Sequence, residues 1–175
     1  YRKGPVEATV TYSFFQTLNL NGILRQFDVQ DHLVGTAAYY RGVLSSMPYQ
    51  VGFSYTFDYL FLDMDAFMSR QSPTLSATLV ENNHNMTTAL FRFQQKTFYR
   101  EADFTNRFPA AQRDALNWMG GLNHVLRFQG DRHFLSAGYQ YDVEDAKGSD
   151  FSYSGNRLLL GGMYTLPWGD TRLKY

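Results

Sequence analysis

Tyr49-Gln50-Val51-Gly52-Phe53-Ser54-Tyr55-Thr56-Phe57-Asp58-Tyr59-Leu60-Phe61 places an aromatic residue or Val at every second position. A β-strand sends alternate side chains to opposite faces, so this stretch predicts a strand with one apolar face and one mostly polar face. In a small soluble sandwich a second sheet would cover the apolar face. Here the pattern recurs along the whole chain and gives more apolar faces than can bury one another. The expected solvent for that surface is lipid.

Seven further segments alternate in the same way. A first strand spans 6–18, with Ala8, Val10, Tyr12 and Phe14 opposite Glu7, Thr9, Thr11, Ser13 and Thr17. A second spans 32–44 and is read with Leu33, Ala37, Tyr39 and Val43 on its apolar face. After the third strand, quoted above, a fourth alternates Leu75, Ala77 and Leu79 with Thr74, Ser76 and Thr78. A fifth, 86–99, sets Ala89, Phe91 and Phe93 against Thr88, Arg92, Gln94 and Lys96. The sixth is 115–128, the seventh 134–143 and the eighth 157–168, and 172–175 starts a ninth.

Composition narrows the class. The chain has 175 residues, 13 Tyr and 15 Phe, and its mean hydropathy is −0.37. No apolar run approaches the ~20 residues of a membrane helix, whereas a transmembrane barrel needs only alternation. The absence of Cys removes thiol catalysis, disulfides and Cys-ligated metal. With 16 basic and 16 acidic residues there is no net field to steer nucleic acid. No signal peptide is read at Tyr1, so the sequence is expected to be mature or cut from something longer.

The connections alternate in expected length. Long ones are read at 19–31, 62–70, 100–114 and 144–156, and short ones at 45–48, 81–85, 129–132 and 169–171. Asn21-Gly22 and Pro109 punctuate two of the long connections. Outer-membrane barrels have short periplasmic turns and longer extracellular loops. The chain therefore reads as all-β and as a single domain, 1–175: an antiparallel up-and-down transmembrane β-barrel of a Gram-negative outer membrane or a contiguous segment of a larger one, with eight strands and the start of a ninth.

Four segments carry a family resemblance: Tyr12-Ser13-Phe14-Phe15-Gln16-Thr17-Leu18, Phe57-Asp58-Tyr59-Leu60-Phe61-Leu62-Asp63, Gly148-Ser149-Asp150-Phe151-Ser152-Tyr153-Ser154-Gly155 and Leu166-Pro167-Trp168-Gly169. They resemble the C-terminal barrel of bacterial outer-membrane proteins that carry tetratricopeptide repeats ahead of it. Some members of that group are exopolysaccharide export porins. The resemblance implies outer-membrane lipid as the surroundings and a periplasmic helical-repeat region or export machinery as partner. No tetratricopeptide segment occurs in this sequence.

The polar faces collect Glu7, Gln50, Asp58, Arg92, Gln94, Lys96, Asn117, Asn123, Arg127, Gln140, Asp142 and Arg157 as the expected lumen lining. Such a lining either selects solutes in a polar conduit or plugs a narrow barrel with charge pairs. Tyr12, Tyr39, Tyr49, Tyr59, Phe61, Tyr141 and Trp168 are expected to point outward near the headgroups.

No metal or cofactor is implied. Asp63, Asp65, Asp103, Asp145 and Asp150 match no calcium loop, and the four His have no metal spacing. An enzyme acting on lipid would need a His, a Ser and an Asn or Asp on one wall. His124 is expected outward near Ser136, but Asn123 faces the other way, so no catalytic set is assembled.

Overall fold

A computed structural model describes residues 2–20, 28–99, 112–129, 132–166 and 172–174, the first two and last three by backbone alone. They form one antiparallel sheet in which each strand pairs with the next along the chain. The strands are β1 (Arg2–Lys3), β2 (Val6–Thr17), β3 (Val29–Leu44), β4 (Met47–Leu62), β5 (Asp65–Val80), β6 (Asn85–Phe98), β7 (Ala115–Phe128), β8 (His133–Ala146), β9 (Tyr153–Thr165) and β10 (Arg172–Lys174). The only helix described is a single 3-10 turn, Ser149–Phe151. The all-β meander read from alternation is thus the fold, and the sheet is open, with β1 and β10 at its edges.

Register fixes which residues share a face, because directly paired residues in an antiparallel sheet point the same way. Glu7, Tyr39, Gly52, Ser76, Leu90, Gly121, Gln140 and Arg157 form one such row across β2 to β9. Every second residue from this row builds the polar face. The residues between them, including Val10, Phe53, Leu75, Phe91, Leu122, Tyr139 and Leu158, build the apolar one.

Two expectations are corrected here. The first concerns β3: Leu33, Ala37, Tyr39 and Val43 lie on the polar face, and Val34, Ala38, Tyr40 and Leu44 take the apolar one. This strand is apolar on both sides, so alternation alone does not fix its phase. Its neighbours do: Tyr39 shares the row of Glu7 and lies across Gly52, where an added Cβ would sit 2.5 Å from its Cδ1.

The second concerns 62–70, which is not a long connection. β4 and β5 continue to a two-residue turn at Asp63-Met64, with a register shift beside Leu60 and Phe61. What reads as loop is strand because Arg70 lies opposite Asp58 and forms an ion pair with it. β8 and β9 are likewise longer than expected toward their shared turn, which shrinks that connection to 147–152. The connections at one end of the sheet are therefore 18–28, 63–64, 99–114 and 147–152, against 4–5, 45–46, 81–84, 129–132 and 166–171 at the other. Asn21-Gly22 and Pro109 lie outside the described residues.

Pro73 lies within β5, where it offers no N–H. The β5–β6 ladder is interrupted there, between the pairs Gln71–Gln95 and Thr74–Arg92. On the polar side, Gln94 Nε2 donates to Ser72 Oγ at 2.9 Å and bridges the gap.

The Asp63-Met64 turn has φ of 53° and 63°, a left-handed conformation that costs a side-chain-bearing residue about 1–2 kcal/mol. Met64→Gly is expected to raise the unfolding free energy by about 1 kcal/mol, read from urea unfolding. A loss of stability would mean that Met64 does not occupy a tight turn.

Candidate functional site: the polar face

The polar face is where ionisable side chains meet. Every expected lining residue falls on it: Glu7, Gln50, Asp58, Arg92, Gln94, Lys96, Asn117, Asn123, Arg127, Gln140, Asp142 and Arg157. Several are withdrawn from solvent although the described residues form no second layer over them. Asn117 is 1% exposed, and the side chain of Asp58 is 3% exposed. In a single sheet this requires the polar side to be concave, so that side chains from strands on either side close over the middle.

The contacts have that character. Lys96 of β6 reaches over β7 to Glu144 of β8 at 2.5 Å. Beneath them Asn117 donates to Asp142 at 2.6 Å and to Glu144 at 3.3 Å, and accepts from Arg92 at 3.3 Å. Tyr153 of β9 lies across from Glu144 on the same face, close to Asp142. Strands β6, β7 and β8 are tied together by these side chains.

A second group sits on β2 to β5. Arg70 Nε donates to Asp58 Oδ2 at 2.5 Å, and its Nη2 contacts the same oxygen. Glu7 pairs with Arg41 at 2.8 Å, and Arg41 also donates to Gln50 at 2.7 Å. Arg157 reaches Gln140 at 3.3 Å, and Arg127 lies against the Met86 sulfur at 3.3 Å. Asn123 borders Gly138, where an added Cβ would meet its Oδ1 at 2.9 Å.

Arg41, Arg70, Glu144 and Tyr153 belong to these clusters and were not singled out from sequence. Arg70, Glu144 and Tyr153 fall in segments whose weak alternation reads as loop. Arg41 follows Tyr39, on the strand whose phase is reversed.

The apolar face carries the aromatic residues. Tyr12, Tyr49, Tyr59, Phe61 and Tyr141 point to it as expected, whereas Tyr39 is on the polar face and Trp168 lies outside the described residues. Near the long-connection end, His32 packs against Phe14 at 4.9 Å and Phe61 at 5.8 Å, and Tyr59 against Phe61 at 4.9 Å. Near the other end, Tyr40 meets Tyr49 at 6.2 Å and His133 stacks on Tyr164 at 4.4 Å. Between these bands Val10, Leu158 and Leu160 are each 79% exposed.

His124 points to the apolar face, as expected. Its Nδ1 contacts Thr87 Oγ1 at 2.8 Å, and Thr87 donates to Glu81 at 2.5 Å. Ser136 and Asn123 lie on the polar face, so His, Ser and Asn do not converge.

Removing one partner of a buried ion pair leaves an uncompensated charge, which costs about 3–5 kcal/mol. Arg70→Met is therefore expected to destabilise by about 3 kcal/mol, toward the low end because Arg70 is partly exposed. The double variant Asp58→Asn/Arg70→Met should recover part of that loss in urea unfolding. Additive losses would show that the two residues do not interact.

No family model, curated protein or solved structure matches this chain, so the functional reading rests on the chemistry of its two faces.

Proposed function

We propose that this chain forms the wall of a β-barrel in a bacterial outer membrane, with its polar face lining a passage for a polar solute or polymer. One observation carries the reading: the usual partition is inverted. Asp58, Gln94, Asn117 and Glu144 are buried on the concave side, while Val10, Leu158 and Leu160 stand exposed on the convex side. Water inside and lipid outside is the setting in which that arrangement is stable.

The spacing of the aromatic bands supports it. Tyr49 and Phe61 lie twelve residues apart on β4. At about 3.4 Å per residue and a tilt of about 40° they are separated by ~31 Å along the barrel axis, close to a hydrocarbon core of ~30 Å. The end carrying 45–46, 81–84 and 129–132 then faces the periplasm, and the end carrying the two longest connections, 18–28 and 99–114, faces the cell exterior.

In lipid an unpaired strand edge is untenable, so the two edges of the sheet, at β1–β2 and at β9–β10, are completed by pairing with each other or with further strands. The surroundings are outer-membrane lipid. Following the family resemblance, a helical-repeat region or export machinery meets the periplasmic end.

A structural or interaction barrel with a closed lumen is the second reading. It is supported by Lys96 and Glu144 closing over Asn117, the kind of pairing that fills narrow barrels. Planar-bilayer recording on the full-length protein separates the two: a conduit gives stepwise conductance, and its absence leaves the interaction role.

Two further outcomes are expected. Phe57→Arg places a charge on the lipid face and should cost about 2–4 kcal/mol of folding free energy, whereas Thr56→Arg on the polar face should be milder. Equal damage would point to a soluble core. On intact cells an impermeant thiol reagent should label Gly148→Cys and spare Ser46→Cys, and the reverse pattern would invert the topology.

A further inference from the structure

Resting on the conduit reading, we infer that the passage is built for uncharged, hydrogen-bonding solutes. The charges of its wall sum to zero with most of them held in opposite-sign groups, and its uncharged lane is lined with hydroxyl groups.

Among the strand residues whose side chains are described, the polar face carries six carboxylates and six cations. Their sum is zero, and their placement matters as much. Glu7 sits on Arg41, Asp58 on Arg70 and Glu144 on Lys96, while Arg92 and Asp142 share Asn117. A paired charge presents a solute with a dipole, whose field fades faster than that of a lone charge. Screening in physiological salt over ~8 Å shortens its reach further. Unpaired rings of one sign are what make a pore choose between ions.

Beside these pairs runs a lane without ionisable groups. Ser54 and Thr56 of β4, Thr74, Ser76 and Thr78 of β5 and Thr88 of β6 share the polar face and are half-buried. The Thr78 and Thr88 hydroxyls hydrogen-bond each other at 3.0 Å. Each hydroxyl both donates and accepts, so the lane can exchange hydrogen bonds with a polyol or an amide as readily as with water. It gives no advantage to either sign of ion.

The test uses the full-length protein in planar bilayers and in liposomes. Under a salt gradient the potassium-to-chloride permeability ratio should lie within about threefold of one. Liposomes should swell in an uncharged polyol at least as fast as in a carboxylate of equal size. Glu7→Gln removes the partner of Arg41 at a partly exposed site and should shift the ratio several-fold toward chloride. Thr74→Val with Thr78→Val, near-isosteric changes, should slow polyol swelling several-fold while leaving salt conductance nearly unchanged.

A wild-type preference of about tenfold for one ion sign would overturn the inference and leave the conduit standing. So would an unchanged ratio in Glu7→Gln, or unchanged swelling in the double valine variant, each in protein shown to be folded. Neither conductance nor swelling in any preparation would remove the conduit itself, and the inference with it.

Discussion

The described strands form a single sheet whose two faces differ in polarity, and the two-residue period of the strand makes that possible. Everything else in this protein follows from keeping that period in phase across neighbouring strands. A slip of one residue would carry Asp58 and Arg92 to the convex side and Phe57 and Phe91 to the concave side. The phase is held from within by side chains that are well placed only when the register is right: Asp58 with Arg70, Lys96 with Glu144, and Tyr39 across Gly52.

Those internal contacts have a purpose beyond register. A curled single sheet cannot exclude water by stacking, so it buries polar groups by leaning them on one another. Asn117 shows how: its amide accepts from Arg92 and donates to two carboxylates, and so remains satisfied at 1% exposure. Leaving such a group unsatisfied would cost roughly 1–3 kcal/mol, which explains why an amide stands at the point where two cations and two anions meet.

Strands whose two faces differ sharply were legible in the sequence. β4 and β7 are of this kind, and β7 has the same bounds in the structure as in the sequence reading. Every lining residue proposed from alternation lies on the polar face. The reading lost its footing where alternation weakens. β3 has apolar residues on both faces, and only its neighbours reveal that Tyr39 is inward. Between Leu62 and Arg70, charges and a left-handed Met hide a tight hairpin. The pairing of the lining residues was not legible at all, since Lys96 and Glu144 are brought together by curvature, which no local pattern encodes.

The two-residue turns at Ser45-Ser46 and Asp63-Met64 also bear on how the sheet comes to exist. Closing a chain segment costs more entropy the longer the segment, so β3, β4 and β5 form the cheapest part of the sheet to bring together. β2 and β7, by contrast, are reached only across 18–28 and 99–114. Contacts close in sequence form fastest, which makes this three-stranded unit the natural nucleus. It already carries the Asp58–Arg70 pair and the aromatic stripe of β4. The segment that first acquires shape is therefore also the first to have an inside and an outside, and later strands add to a template whose sidedness is already decided.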